Sequence, residues 1–109
     1  MIRQRDIVEV NFLFPDGKFL PHFAIVLSNN ELIDNEGFLY LALISTKKHF
    51  NKYTYELMDN MVSKPLPKRS FVVCHIISGY TERDVVSKYA KVKDVYFQDI
   101  LLKIQECIF

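Results

Sequence analysis

The chain opens with an alternation of apolar and polar residues that predicts a β-strand over 6–13. One face of this strand carries Ile7, Glu9 and Asn11, and the other face carries Val8, Val10 and Phe12. After a Pro-Asp-Gly break at 15–17, the run 22–29 is almost continuously apolar, which is typical of a strand covered on both faces. Together the two runs predict a hairpin whose Gly-containing loop presents polar groups at its mouth.

Further runs rich in Val, Ile, Phe and Tyr predict strands over 38–46, 53–57 and 70–78, with a short additional strand near 87–91. The polar segment 29–37 predicts a loop with room for one helical turn. The segment 58–69 contains Pro65 and Pro67, and proline does not fit a central strand, so this segment predicts a connection.

The period changes near the C-terminus, where one helical stripe is formed by Phe97, Ile100, Leu101, Ile104 and Ile108. Asp94 is the expected N-cap of this helix. The apolar surface is wider than a solvated helix needs, so the helix either only packs on the strands or also shares in a subunit interface. Five to six antiparallel strands and a C-terminal α-helix predict a mainly β fold, a small and strongly bent barrel.

Length and composition narrow the class of protein. The 109 residues predict a single domain over 1–109, and a formal charge of +1 leaves nucleic-acid binding to a local basic patch. No apolar run approaches the ~20 residues of a membrane span, and no signal peptide is recognisable, so a cytoplasmic location is expected.

Cys74 and Cys107 lie in apolar runs and are expected to be buried free thiols rather than a disulfide framework. The spacing of Cys and His residues predicts no metal site.

A sparse set of polar residues suits cleavage of a phosphodiester. His22 begins the second strand, while Ser45 and Thr46 end the third, so the imidazole and a hydroxyl meet if these strands are neighbours. Histidine moves protons near neutral pH, and a hydroxyl donates to a phosphoryl oxygen. Each residue also has an ordinary structural explanation, because a strand-start histidine often caps and strand-end hydroxyls often bond to backbone.

Several cationic and aromatic residues are candidates for binding RNA around that site. Ammonium groups offset phosphate charge, and aromatic rings stack on unpaired bases. The candidates are Lys18, Lys47, Lys48, Phe50, Lys52 and His75, with Phe14 as a further ring. The lysine run at 47–52 is equally typical of a solvated loop, and His75, inside an apolar run, of a core histidine.

Successive segments of the chain carry a family resemblance: DIVEV at 6–10, AIVLS at 24–28, LALIS at 41–45 and FVVCHIIS at 71–78, followed by the terminal helix. In this order they resemble the strands and closing helix of the PemK/MazF family of toxin endoribonucleases. The resemblance implies an SH3-like barrel, a homodimer and a small antitoxin partner whose flexible segment occupies the RNA groove. It also implies cleavage of single-stranded RNA without metal or cofactor, in which the ribose 2′-hydroxyl attacks the adjacent phosphate and leaves a cyclic phosphate and a free 5′-hydroxyl.

The family's catalytic arginine opens the second strand, and this chain has His22 there, with Phe23 at the position of the family's proline. The family's catalytic threonine closes the third strand, where Ser45 stands here with Thr46 one residue on. A serine keeps the hydroxyl. A neutral histidine does not keep the permanent, forked charge of arginine. Either His22 supplies an altered acid or base, or the chain has the family fold with weakened activity.

Other differences from the family leave non-catalytic functions open. The family's glycine before Asp6 is Arg5, and the polar cluster after the long strand's cysteine is His75-Ile76-Ile77. The two apolar residues favour an SH3-like interaction domain without toxicity. A topoisomerase poison resembling CcdB is a second non-catalytic alternative, disfavoured because the chain end at 105–109 lacks the Trp-Gly-Ile-type tail of that group.

Overall fold

The computed structural model of the chain describes residues 1–13, 16–47 and 51–109. Within these ranges one sheet of six strands has the order β4-β5-β3-β2-β1-β6, and every neighbouring pair is antiparallel. The strands are β1 (Asp6–Leu13), β2 (Phe19–Val26), β3 (Phe38–Ser45), β4 (Thr54–Leu57), β5 (Ser70–Thr81) and β6 (Val85–Lys91). The helices are α1 (Asn30–Glu36) and α2 (Asp94–Ile108). The predicted strand count and terminal helix are confirmed.

The alternating pattern of β1 distributes its apolar residues between two hydrophobic clusters. Val8, Val10 and Phe12 lie in a cluster with residues of β2 and β3, whereas Ile7 lies in a cluster that includes α2. From α2, the buried residues Phe97, Ile100 and Ile104 enter the second of these clusters. The helix therefore packs on one side of the sheet, as its apolar stripe predicted, while Ile108 remains exposed.

The sheet curls around the cluster on the side away from α2. The Phe12 ring of β1 lies 5.3 Å from the Tyr80 ring of β5, although β2 and β3 separate these strands in the sheet. A β-bulge accompanies the curl, since Ala42 pairs with Ile77 but Ile44 pairs with Val72. Residues 73–76 of β5 thus pass opposite the single β3 residue Leu43. The bulge bends β5 in its middle.

Three local predictions need correction. β2 begins at Phe19, and its first residues are exposed, so only its second half is covered as the apolar run indicated. The 29–37 segment contains helix α1, which is longer than the single turn predicted. At its start, the Asn29 side chain accepts a hydrogen bond from Leu32 N at 2.8 Å. At its end, Gly37 adopts a left-handed conformation with φ of +62°. The N-cap of α2 is Lys93, whose side chain makes no capping bond, and Asp94 is the first helical residue.

Arg5 has a left-handed backbone conformation, with φ of +76°. Its backbone N–H donates to Val26 O and its carbonyl accepts from Val92 N, both at 3.0 Å. The guanidinium adds a bond from Nη1 to Val92 O at 3.1 Å. The PemK/MazF family has a glycine at this position. Arg5 therefore adopts a backbone conformation that glycine adopts more easily.

Across the described ranges, the search for a helix long and apolar enough to cross a membrane found none.

Candidate functional site

The prediction that His22 begins the second strand is wrong, because β2 begins at Phe19 and His22 lies inside it. His22 is opposite Val10 of β1 and is half-buried. Its ring meets the Phe12 ring edge-on, with centroids 6.2 Å apart and an interplanar angle of 89°. Phe12 in turn contacts Tyr80, so the imidazole lies at the edge of a small aromatic cluster. Burial, with a smaller contribution from Asp84, raises the pKa of Tyr80, which keeps this phenol protonated near neutral pH.

The end of β3 presents two hydroxyl groups with different surroundings. Ser45 is only 7% exposed, and its Oγ accepts a hydrogen bond from Lys47 N at 3.1 Å. This is the structural role that the sequence left open for strand-end hydroxyls. Thr46 and Lys47, the next residues, are exposed. The hydroxyl that solvent reaches at this strand end is therefore that of Thr46.

The pairing of β2 with β3 places His22 and these hydroxyls beyond the same end of the β2–β3 ladder. The register runs from Val26 opposite Leu41 to Ala24 opposite Leu43. His22 precedes Ala24 by two residues, and Ser45 follows Leu43 by two, so both lie just beyond the same end of this ladder. The strand neighbourhood on which the predicted site depends is present.

Of the predicted RNA-binding residues, Lys18 and Lys47 lie at this end of the strand pair. Lys18 is exposed in the β1–β2 connection, where its backbone N–H donates to Asp16 Oδ1 at 3.0 Å. Lys48 and Phe50, together with Phe14 and His49, lie outside the described residues.

His75 and Lys52 form a second group beyond the bend of β5. His75 is exposed rather than in the core, and its ring centroid is 4.7 Å from that of Tyr53. Lys52 Nζ lies 5.6 Å from the centroid of the same Tyr53 ring. The sequence placed Tyr53 in a strand, whereas it ends a 3-10 turn at Asn51–Tyr53, and the pattern of apolar residues gave no sign of its contact with His75.

An open groove of about 720 Å³ lies away from both groups, between β4 with its following turn and the 66–69 segment. On its wall, Arg69 pairs with Glu56 at 2.6 Å. Neither Arg69 nor Glu56 is among the predicted site residues. Of the predicted site residues that the structure describes, none lines this groove.

Cys74 is a buried free thiol, as predicted, and burial raises its pKa to about 12. Cys107 is also a free thiol but is only half-buried, so the expectation of full burial is wrong for this residue. Its Sγ lies 3.4 Å from Lys52 O. A search of the described ranges for three or more His, Cys, Asp or Glu residues placed to hold a metal ion found none.

No protein-family model matches the sequence, and the search of curated proteins gave no match. Solved structures do match. A mycobacterial endoribonuclease in complex with its cognate antitoxin is 10% identical with a TM-score of 0.81, covering 98% of this chain and 94% of that chain. MazF from Deinococcus radiodurans is 12% identical with a TM-score of 0.77, covering 96% and 94%. The Mycobacterium tuberculosis toxin MazF-mt6 is 14% identical with a TM-score of 0.69, covering 95% and 92%.

These similarities extend over nearly the whole chain at identities of 10 to 14%, and at such identities they establish architecture. They confirm the small barrel with a closing helix that the family resemblance implied. The chain has the fold of the MazF toxins.

Proposed function

We propose that this chain is a toxin-like endoribonuclease of a toxin–antitoxin system that cleaves single-stranded RNA. The observation that carries the proposal is that His22 of β2, and the exposed Thr46 and Lys47 that follow β3, lie beyond the same end of the β2–β3 ladder. Solved structures with this fold include an endoribonuclease bound to its antitoxin, which supports the same activity class.

The chemistry is attack of a ribose 2′-hydroxyl on its own 3′-phosphate. His22 accepts the 2′-hydroxyl proton or protonates the leaving 5′-oxygen, roles for which imidazole is suited near neutral pH. Thr46 donates a hydrogen bond to a phosphoryl oxygen, where negative charge develops in the transition state. Lys47 offsets that charge. None of these steps requires a metal ion or cofactor.

Thr46 receives the hydroxyl role in this proposal because it is exposed, whereas the Ser45 hydroxyl is buried and engaged with Lys47 N. Ser45 then acts on the reaction through the turn that it fixes, which positions Thr46 and Lys47. The alternative, in which the Ser45 hydroxyl itself contacts the phosphate, requires that this turn opens when RNA binds.

The histidine at the family's arginine position sets the expected strength of catalysis. An arginine holds a phosphate by two parallel hydrogen bonds at every pH, and a neutral imidazole does not. Lys18 and Lys47, which are both exposed, would supply part of this charge as single ammonium groups. We expect slower cleavage than an arginine at this position would give.

The proposal includes the partners that the family resemblance implies. These are single-stranded RNA as substrate, a small antitoxin that occupies the RNA-binding surface, and a second copy of the chain in a homodimer. The apolar residues that α2 leaves exposed, such as Val95 and Leu102, are suited to a protein interface. Action on cellular RNA places the protein in the cytoplasm.

The test is incubation of the purified protein with an unstructured RNA in the presence of excess EDTA. We expect cleavage by the unaltered protein and a loss of about 10²- to 10⁴-fold in rate for His22→Ala, the range that general acid–base catalysis contributes. A His22→Ala protein with full activity contradicts the role of the imidazole. Uncut RNA in the presence of the unaltered, folded protein contradicts the nuclease function.

A second candidate is a non-catalytic binding module on the same barrel, as a toxin that only binds its target or as an SH3-like interaction domain. The packing of the His22 ring on Phe12 favours it, because this contact restricts a group that would have to reach the RNA. This candidate predicts that RNA stays intact and that growth of the expressing cells, DNA supercoiling or partner binding is the property that changes.

A further inference from the structure

A surface group of two rings and one cation lies beyond the proposed reaction centre. The centroids of Tyr53 and His75 are 4.7 Å apart with their planes inclined by 44°, and Lys52 Nζ lies over the Tyr53 ring at 5.6 Å. His75 and Lys52 are exposed, and Tyr53 is half-buried. A tilted pair of rings beside an ammonium group offers an aromatic face for a base and a positive charge for the phosphate next to it.

The fold holds this group in place from two sides. The bulge of β5 turns His75 outward, since residues 73–76 pass opposite one residue of β3. Tyr53 immediately precedes β4, whose first residue Thr54 pairs with Val73. At the end of α2, the Cys107 thiol lies within 3.4 Å of Lys52 O. Both ring-bearing segments are thereby fixed to the sheet and the helix.

The group lies on the same strand that borders the proposed reaction centre. Ser45 pairs with Phe71 of β5, and His75 follows Phe71 by four residues on that strand. At ~3.3 Å per residue, the path along β5 from Phe71 to His75 is at most about 13 Å, and the bulge makes the direct distance shorter. An RNA chain that follows β5 would contact Thr46 and Lys47 with one nucleotide and the Tyr53–His75 pair with a nearby one.

We propose that Tyr53 and His75 form a stacking subsite for one unpaired base of the RNA, and that Lys52 binds a neighbouring phosphate. This inference rests on the proposed function. It adds Tyr53 to the predicted RNA-binding residues and locates a base-binding subsite on the surface beside His75. Stacking on aromatic rings accepts every base, so the subsite contributes affinity and selects single-stranded over paired RNA more than it reads sequence.

The experiment uses an oligonucleotide with 2′-O-methyl riboses throughout, which cannot be cleaved, and one 2-aminopurine whose fluorescence falls on stacking. We expect the unaltered protein to bind and quench the probe. His75→Ala and Tyr53→Leu should each weaken binding by about 5- to 150-fold, the range that base–aromatic stacking gives on substitution. Lys52→Gln should reduce the salt dependence of log Kd by about 0.7, the slope for one phosphate contact on a single strand.

Two controls separate stacking from damage to the fold. Tyr53→Leu keeps an apolar side chain at the position and removes the aromatic face together with the phenol hydroxyl, and the matched control variant loses the same two groups. Tyr40→Leu is matched to it, because Tyr40 is 47% exposed and has a similar ring contact with Phe38 at 4.9 Å, but lies in β3 away from this group. The Tyr40→Leu protein should bind and quench like the unaltered one, and thermal unfolding monitored by circular dichroism shows that each variant is folded.

The outcomes distinguish this subsite from the proposed function. Binding within twofold of normal by folded Tyr53→Leu and His75→Ala overturns the subsite, whether or not the protein cleaves RNA. A protein that cuts RNA in EDTA but does not quench the probe also overturns it and leaves the nuclease intact. A protein that neither binds nor cuts RNA overturns both proposals.

Discussion

The two adjacent hydroxyls at the end of β3 allow the assignment of the reacting group to be tested by one pair of variants. Thr46→Val removes an exposed hydroxyl with little change in size, so the free energy of unfolding should change by less than about 0.5 kcal/mol. The rate of RNA cleavage should fall by about 10²- to 10³-fold, which is the loss of about 2.7–4 kcal/mol measured when one hydrogen-bond donor to a developing oxyanion is removed.

Ser45→Ala should have the opposite profile. The substitution removes the acceptor of the 3.1 Å bond from Lys47 N, which contributes about 0.5–1.5 kcal/mol to folding. We expect the melting temperature to fall by a few degrees and the cleavage rate by less than tenfold, because the turn loosens but the accessible hydroxyl remains.

Both variants can be compared by single-turnover cleavage of a short RNA labelled with a fluorophore and a quencher, at saturating protein. Single-turnover rates report the chemical step and are independent of product release. A hundredfold loss in Ser45→Ala together with a normal rate in Thr46→Val would refute the assignment and show that Ser45 leaves its buried position to contact the phosphate.

Three further predictions concern stability and reactivity. Because φ at Arg5 is +76°, Arg5→Gly should be more stable than Arg5→Ala by about 1 kcal/mol in urea unfolding, and equal stabilities would contradict backbone strain there. Phe97→Ala should cost about 3–5 kcal/mol, because Phe97 is fully buried, whereas Val95→Ala, at a position that is 64% exposed, should change the free energy of unfolding by less than about 0.5 kcal/mol. At pH 8, iodoacetamide should alkylate Cys107 in the folded protein and leave Cys74 unmodified. The reason is that a pKa of about 12 leaves about one Cys74 thiol in 10⁴ ionised. The masses of the proteolytic peptides show which thiol has reacted.

The strands and the terminal helix could be predicted because their signals are local. The alternation from Ile7 to Phe12 fixes which side chains enter which cluster, and the Phe97–Ile104 spacing fixes the buried side of α2. The resemblance of the strand order to the PemK/MazF family added the connections between elements. These are the features that the solved structures with MazF folds share with this chain.

The errors arose where the structure depends on single hydrogen bonds or on distant pairing. Helix α1 is stabilised by the bond to the Asn29 side chain and by Gly37, a pattern too short to show helical periodicity. The Asp94 carboxylate accepts from Gln98 Nε2 at 3.3 Å, within α2, instead of capping its first turn. No local sequence pattern shows that residues 30–36 form a helix or that Asp94 lies inside α2 rather than at its cap.

For the candidate site, the sequence could predict that β2 and β3 are neighbours but not the surroundings of each side chain. The positions of His22 and Ser45 follow from strand order, which the sequence gives indirectly. The burial of Ser45 depends on Phe71 pairing with it from β5, and the exposure of His75 depends on the bulge between residues 73 and 76. A bulge changes register over long sequence separations, so neither outcome could be read from the apolar run 71–77.

The most direct test of the account is the chemical nature of the RNA ends that the protein produces. An oligonucleotide is incubated with the protein in excess EDTA, and its fragments are weighed by mass spectrometry beside a copy with one 2′-O-methyl group at the cleaved residue. The account predicts a 2′,3′-cyclic phosphate on one fragment, a 5′-hydroxyl on the other, and no cleavage of the methylated copy. Fragments with 5′-phosphates, or cleavage at the methylated position, would contradict attack by the ribose hydroxyl and with it the proposed roles of His22 and Thr46.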